Sequence, residues 1–210
     1  METVTLSESG VGVASIKAAG TMRLGGVILY PTDTLYGLGA DAFSDVAVDK
    51  IYAIKDRDSR KPIHCICADI VMIEEYSELN DAARKLAQKF LPGALTLVLK
   101  KRSGANSGIG REMDTIGVRI PDNSFCIETA RSLGRPFTAT SANRANSSPE
   151  FSLEKILEQL GGSIGQLGLV IDAGALSLRP PSTVVNLVSG HPVILREGAI
   201  SREEIAKAVE

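Results

Sequence analysis

The apolar run Val27-Ile28-Leu29-Tyr30 leads directly into the polar segment Pro31-Thr32-Asp33-Thr34-Leu35-Tyr36-Gly37-Leu38-Gly39. An uninterrupted apolar run without polar alternation is typical of a strand buried on both faces. The polar residues then lie at a strand end, where open α/β sheets place their ligand sites. Glycine at positions 37 and 39 would let the backbone approach a ligand closely. By itself the segment is equally well explained as a tight turn with capping hydroxyl groups.

The rest of the chain repeats this alternation of apolar runs and helical patterns. Further strands are predicted at 63–67, 95–99, 116–120, 136–140, 169–171, 183–188 and 192–195. Helices are predicted at 44–54, 81–90, 124–133 and 152–160, and Ser201 with Glu204 predicts a capping box for a terminal helix. The last two strands are joined by the short turn Ser189-Gly190-His191, so we expect them to pair antiparallel. The fold class is therefore α/β with a mixed parallel and antiparallel sheet.

Composition restricts the classes of function. The 210 residues are 44% hydrophobic and carry a net charge of -2, which predicts a single domain over 1–210 without general attraction to nucleic acid or anionic membranes. No apolar run approaches the roughly 20 residues of a membrane span, and we expect a cytoplasmic protein without a membrane partner. Three cysteines without C-x-x-C spacing fit a reducing compartment. Cys65 and Cys67 share one face of a predicted strand and are expected to be buried.

Three distant polar segments and a set of cations predict one ligand pocket. The segment 31–39 is joined by Thr140-Ser141-Ala142-Asn143 and Ser182-Thr183-Val184-Val185. Between them stand cations that we expect to be largely free of carboxylate partners, namely Lys55, Arg57, Arg60, Lys61, Arg119 and Arg196. This combination favours a polyanion held beside a small zwitterion. Asp56 and Asp58 partly offset the cluster at 55–61, and taken alone this cluster is better explained as a solvated helix end whose cations complement the helix dipole.

Arg119 lies on a predicted strand whose alternation puts it on the same face as Thr115 and Gly117. A guanidinium on a central strand is costly unless it is paired. Its partner is either an Asp or Glu of this chain or the carboxylate of a ligand, and we favour the ligand.

The sequence lacks several common motifs for nucleotide binding, nucleophilic catalysis and metal binding. It contains no G-x-x-x-x-G-K-[ST] loop and no G-x-G-x-x-G fingerprint. Its two histidines, His64 and His191, lie near no recognisable nucleophile motif, and metal-ligand spacings are missing. The polar residues therefore favour catalysis by positioning and charge neutralisation.

Eight motifs in order give the chain a family resemblance. They are segment 31–39, Lys55-x-Arg57, Lys61-Pro62, Pro92-Gly93 with Thr96, Arg119 with Pro121, segment 140–143, segment 182–185 and Leu195-Arg196-Glu197-Gly198. On these residues the chain resembles the YrdC/TsaC family of L-threonylcarbamoyladenylate synthases, in its short form. The resemblance implies a twisted mixed sheet with flanking helices and a concave pocket.

The resemblance also implies a reaction and its residues. L-threonine, bicarbonate and ATP would give threonylcarbamoyl-AMP and pyrophosphate, with Mg²⁺ accompanying ATP. A separate threonylcarbamoyl transferase complex would then modify tRNA. Threonine would be held by Thr32, Arg119, Ala139 and Ser182. ATP would be held by Lys55, Arg57, Lys61, Thr115, Ser141, Asn143 and Arg196, with Lys55 and Arg57 as the catalytic pair that stabilises the departing pyrophosphate.

Three alternatives stay open. A paralogue group without synthase activity shares the fold but departs at the Lys-x-Arg and Ser-Ala-Asn elements, both of which this chain keeps. The protein could instead be a module that binds double-stranded RNA or tRNA in its basic concavity. A carbamoyl-transfer domain of a larger protein is disfavoured, because the chain has no acylphosphatase-like or zinc-finger segment.

Overall fold

The structure, a computed structural model, describes residues 1–210 and contains one ten-stranded sheet. The strands are β1 (Glu2–Thr5), β2 (Val27–Pro31), β3 (Tyr36–Gly39), β4 (His64–Ile66), β5 (Leu95–Lys100), β6 (Thr115–Arg119), β7 (Phe137–Ser141), β8 (Leu167–Asp172), β9 (Thr183–Asn186) and β10 (Val193–Arg196). Their order across the sheet is β1-β8-β2-β3-β7-β4-β6-β5-β9-β10. Parallel and antiparallel pairs both occur, and β9 pairs antiparallel with β10. The mixed sheet expected from the sequence is confirmed.

Seven α-helices flank the sheet. They are α1 (Leu6–Arg23), α2 (Asp45–Lys55), α3 (Ile70–Tyr76), α4 (Asp81–Phe90), α5 (Ser124–Leu133), α6 (Leu153–Leu160) and α7 (Arg202–Val209). Alternate residues of β2 point into two different cores, as the period of a strand requires. Ile28 and Tyr30 pack in the core formed with α1 and α5, whereas Val27 and Leu29 pack in the core formed with α2, α4 and α6. Strand β2 is therefore buried on both faces, as predicted.

The helices predicted from periodicity and capping residues are confirmed to within one residue. The capping box of Ser201 and Glu204 begins α7, and all three cysteines are free and buried. The sequence analysis missed α1, α3, β1 and β3. Helix α1 was missed because its buried face is built mainly from small residues such as Ala14 and Ala18, which produce a weak amphipathic pattern. None of the helices has the length and apolar character that crossing a membrane requires.

Of the two glycines expected to let the backbone approach a ligand, Gly39 needs correction, whereas Gly37 lines the cavity described below. Both residues lie in β3, which forms an antiparallel hairpin with β2. A Cβ atom at Gly37 would lie 2.9 Å from Cζ of Tyr30, and one at Gly39 would lie 2.9 Å from Cγ1 of Ile28. The glycines therefore make room for the side chains of β2. Gly39 does not line the cavity.

The candidate site lies on a part of one sheet face that helices α1 and α5 do not cover. Helices α1 and α5 pack on the face that carries Tyr30, Ile66 and Phe137. Beyond them, the same face of the central strands carries His64, Ala139 and Arg119, all of which border an open cavity. The cavity thus lies on the sheet where the layer of α1 and α5 ends.

Candidate active site

A cavity of about 790 Å³ lies on this exposed part of the sheet and is lined by 24 residues. The loop between β2 and β3 forms one wall, and strands β4, β6 and β7 form the floor. The segment 178–182 and Arg196 close the far side. The volume is within the usual range for small-molecule and cofactor sites.

Seven of the eleven residues expected to bind substrates line this cavity. They are Thr32, Arg57, Arg119, Ala139, Ser141, Ser182 and Arg196. All four residues expected to hold threonine are in this group. The other four, Lys55, Lys61, Thr115 and Asn143, do not line the cavity, and their expected contacts with ATP stay predictions. Thr115 begins β6 and is partly buried, whereas Lys61 is exposed in the loop after α2.

Lys55 occupies a structural position at the end of α2. Its side chain is almost fully buried. Its ammonium donates to the backbone oxygen of Ser141, to that of Asn143 at 2.7 Å and to Oδ1 of Asn143 at 3.4 Å. Burial, reinforced by the nearby Arg57, lowers the pKa of Lys55 to about 7. Lys55 thus holds segment 141–143 in place.

Arg119 has its own carboxylate partner. Its Nη2 lies 2.6 Å from both carboxylate oxygens of Asp33, and both side chains are less than one-tenth exposed. Its Nε donates to Gly93 O at 3.1 Å, and its Nη1 donates to Thr34 Oγ1 at 3.3 Å. The expectation that the cations largely lack carboxylate partners is therefore wrong for Arg119. One N–H of Nη1 remains for a ligand. Arg119 can therefore pair with Asp33 and also bind the carboxylate of a ligand, so the two partners considered from the sequence are compatible.

Arg60 is offset by Asp58, as the sequence indicates for this cluster. It pairs with Asp58 at 2.7 Å, its side chain is 83% exposed, and it does not line the cavity. Because the two residues are two positions apart in an exposed loop, this pair forms locally and adds little to stability.

The cationic character of the cavity comes from Arg57, Arg179 and Arg196, which line it without a carboxylate partner. Arg57 donates from Nη2 to Pro62 O at 3.0 Å, and its buried Nε has no hydrogen-bond partner. Arg196 donates from Nη2 to Ser182 O at 2.8 Å and to Ser182 Oγ at 3.1 Å. Burial and the charge of Arg119 lower the pKa of Arg196 from its ordinary value. These unneutralised guanidinium groups suit an anionic ligand.

Hydroxyl groups complete the polar lining. Thr32 Oγ1 donates to Leu35 O at 2.7 Å and accepts from the amides of Thr34 and Leu35 at 3.0 Å each, so it fixes the β2–β3 loop. On the opposite wall, Ser182 Oγ lies 3.0 Å from Thr96 Oγ1. The loop and the wall therefore present hydroxyl groups that their neighbours hold in place.

His64 is a cavity residue that the sequence analysis did not select. It lies on β4, pairs with Ala139 on β7, and borders the cavity. Burial, together with Arg196, Arg57 and Arg119, lowers the pKa of His64 to about 4. A signal was present in the sequence, because strand alternation places His64 on the face opposite the buried Cys65 and Cys67.

The lowered pKa predicts how His64 affects stability with pH. Its ordinary pKa is 6.5, so between pH 6.5 and 4 the unfolded chain binds more protons at this residue than the folded chain. Stability from this residue is present above pH 6.5 and is lost as the pH falls toward 4. On acidification from pH 7 to 4.5, the free energy of unfolding of the wild type should fall by about 2 kcal/mol more than that of His64→Gln. Urea unfolding at both values measures this difference.

His191→Gln, at an exposed histidine, is the matched control and should lose as much stability on acidification as the wild type does. An identical loss of stability in wild type and His64→Gln would show that His64 is not held neutral.

The structure contains no group of three or more His, Cys, Asp or Glu residues that could hold a metal ion. The cavity lining likewise includes no carboxylate. The donor set present therefore does not fit a divalent cation bound by protein side chains alone.

A family model and the sequences of known proteins both show similarity to this chain. A family model named Sua5_yciO_yrdC and described as "Telomere recombination" matches residues 21–198. A threonylcarbamoyl-AMP synthase of Bacillus subtilis is 34% identical over 195 residues, which make up 92% of this chain and 56% of that protein. The chain thus spans little more than half the length of that relative.

Two solved structures resemble the whole chain. Sua5 of P. abyssi complexed with L-threonine has a TM-score of 0.88 and 32% identity, covering 99% of this chain and 60% of that one. E. coli YciO has a TM-score of 0.83 and 28% identity, covering 97% of this chain and 98% of that one. The fold expected from the sequence is confirmed by both.

Proposed function

The chain belongs to the Sua5/YciO/YrdC family, and we propose that it is a threonylcarbamoyl-AMP synthase that uses L-threonine, bicarbonate and ATP. The observation that carries this proposal is one cavity in which the residues expected to hold threonine border three unneutralised arginines, Arg57, Arg179 and Arg196. An amino acid and a polyanion could occupy such a cavity side by side. The L-threonine bound to the P. abyssi relative agrees with the amino-acid part.

The side chains support an allocation of the cavity into two ends. Thr32, Arg119, Ala139 and Ser182 would receive threonine, with the remaining N–H of Arg119 available to its carboxylate. Arg57, Ser141 and Arg196 would receive the phosphates. Apolar atoms of Pro149, Phe151 and Leu178, which also line the cavity, would contact the nucleoside.

The reaction brings anions together, and the arginines lower the cost of doing so. Threonine and bicarbonate first form threonine carbamate and water. A carbamate oxygen then attacks the α-phosphorus, and the bond to the β,γ-pyrophosphate breaks. Arg57 and Arg196 would stabilise the negative charge that develops on the triphosphate, so catalysis rests on positioning and charge neutralisation. No covalent intermediate with the protein is required.

We propose that Mg²⁺ arrives with ATP and is held by phosphate oxygens, because the cavity offers no carboxylate ligands. There it would supply charge neutralisation. The product is a reactive mixed anhydride, and a separate transferase complex would pass its threonylcarbamoyl group to tRNA. ATP and bicarbonate as substrates favour a cytoplasmic location.

An omission experiment tests the function directly. The purified protein is incubated with ATP, Mg²⁺, bicarbonate and L-threonine, pyrophosphate is followed, and threonylcarbamoyl-AMP is sought by mass spectrometry. Product should form only when all three substrates are present. A folded protein that binds ATP but makes no product would instead favour the inactive paralogue, and RNA binding with a steep salt dependence would favour the RNA module.

Arg57→Gln should raise the KM for ATP by about tenfold or more, because a charge-assisted hydrogen bond contributes roughly 1.5–3 kcal/mol. The KM for threonine should change little. Steady-state kinetics with each substrate varied in turn measures both values. Arg60→Gln is the matched control, since Arg60 lies in the same loop but outside the cavity. Equal effects of the two substitutions would contradict a phosphate role for Arg57.

A further inference from the structure

Formation of threonine carbamate releases a proton that some group must accept. Threonine bound through its carboxylate carries an ammonium group, R–NH₃⁺. With bicarbonate it gives R–NH–COO⁻, water and one proton. The nitrogen must lose a proton before its lone pair can form the new C–N bond. A basic group beside the amine would therefore assist this step.

Among the residues that line the cavity, His64 offers the one side-chain nitrogen with a free lone pair at neutral pH. The other ionisable residues of the lining are arginines and tyrosines, whose ordinary forms at neutral pH are proton donors. No Asp, Glu, Lys or Cys borders the cavity.

The fold places the imidazole beside the amino-acid end. His64 pairs directly with Ala139 in the β4–β7 ladder, and Ile66, two residues on, pairs with Arg119 in the β4–β6 ladder. The space for the ring depends on Gly117. A Cβ atom there would lie only 2.3 Å from Cδ2 of His64. The ring makes no hydrogen bond to another protein group, so its nitrogens are available to a ligand in the cavity.

From this placement we propose that His64 is the catalytic base that accepts the proton from the threonine amine as the carbamate forms. The proposal rests on the proposed synthase function. The proton moves from the threonine nitrogen to an imidazole nitrogen, and the nitrogen lone pair forms the C–N bond. The hydroxyl of bicarbonate leaves as water with a second proton of the ammonium, and the imidazolium later returns its proton to solvent.

The charges around His64 make its basicity depend on whether anionic substrates are bound. Arg57 follows α2, Arg119 ends β6 and Arg196 ends β10, and all three face the imidazole, while β7 presents only the uncharged Ala139. Burial and these cations keep the pKa of His64 at about 4, which makes it a weak base. The carboxylate of threonine and the phosphates of ATP would offset the cations and strengthen the base. Asp33 already offsets part of the charge of Arg119.

His64→Gln tests the proposal, with the forward and reverse reactions compared. The forward rate of pyrophosphate release should fall by about 100-fold or more, as expected for loss of a general base. The reverse assay starts from threonylcarbamoyl-AMP made by the wild type, adds pyrophosphate and measures ATP. Threonine carbamate released in that direction decomposes in solution without His64, so the reverse rate should change by less than about threefold.

Two further variants complete the experiment. His191→Gln should match the wild type in both directions. Gly117→Ala keeps the imidazole but displaces it, and it should show the same selective forward loss, so the test does not depend on one variant folding. The forward kcat of the wild type should also fall on acidification, as His64 becomes protonated, and this loss should be absent in His64→Gln.

Equal loss in both directions for either folded variant would overturn the proposal, because it would mean that the cavity had been distorted. No loss in either direction would also overturn it. If the wild type makes no threonylcarbamoyl-AMP, the synthase function itself fails, and the role of His64 fails with it. The omission experiment separates this outcome from the others before any variant is studied.

Discussion

Replacing Arg119 with alanine should lower the free energy of unfolding by about 4 kcal/mol and abolish measurable synthase activity. The reason is that Asp33 would be left as a buried carboxylate without its cation, which typically costs roughly 3–5 kcal/mol. The β2–β3 loop, which Arg119 also reaches through Thr34, would lose its anchor to β6. Urea unfolding and the pyrophosphate assay measure the two effects.

A double variant separates the structural role of Arg119 from its role toward substrate. Arg119→Met with Asp33→Asn removes both charges, and replacing a whole buried ion pair is often close to neutral for stability. We expect this variant to regain most of the lost stability but to need far more threonine than the wild type. If it recovers normal threonine kinetics, Arg119 acts only through Asp33 and does not contact the amino acid.

Lys55→Ala should have the second largest effect, lowering the free energy of unfolding by about 3 kcal/mol. Truncation leaves a space where the buried stem lay, and the carbonyl oxygens of Ser141 and Asn143 lose their donor. Segment 141–143 would then be free to move, and Ser141 would no longer be held at the cavity wall. The apparent affinity for ATP should fall as a consequence.

The matched control for Lys55 is Lys155→Ala on the exposed face of α6, which should leave unfolding and kinetics unchanged. Lys55→Met keeps most of the packing volume but removes the ammonium. It therefore separates the cost of the space left by truncation from the cost of the lost hydrogen bonds. If Lys55→Ala impairs ATP use while stability is unchanged, Lys55 contacts the phosphates directly, as the family resemblance implies.

The sequence analysis singled out both Lys55 and Arg119, but it did not identify the groups that they contact. The Lys-x-Arg spacing and the alternation around Arg119 marked them as unusual. Neither pattern could reveal that Lys55 donates to carbonyl oxygens of β7 and its following turn, or that Arg119 meets Asp33. Those contacts join positions 88 and 86 residues apart in the chain.

Local sequence patterns were enough to predict the α/β class, the doubly buried β2, the antiparallel final hairpin and the capped helices. Each of these follows from local properties, namely hydrophobic period, capping residues and loop length, which act within a few residues. The sequence analysis also identified seven residues that border one cavity. Gly39 was misinterpreted, because it makes room for the side chains of Ile28 and Tyr30 across the ladder and does not border the cavity.

Tertiary packing determines which charges remain free and places the imidazole of His64 at the cavity. The order β7-β4-β6 and the register of its two ladders bring His64 beside Ala139 and over Gly117. The end of the α1–α5 layer leaves that part of the face open. Strand order and register are set by packing of the whole sheet, because many long-range contacts must be satisfied together, and no local pattern in the sequence encodes them.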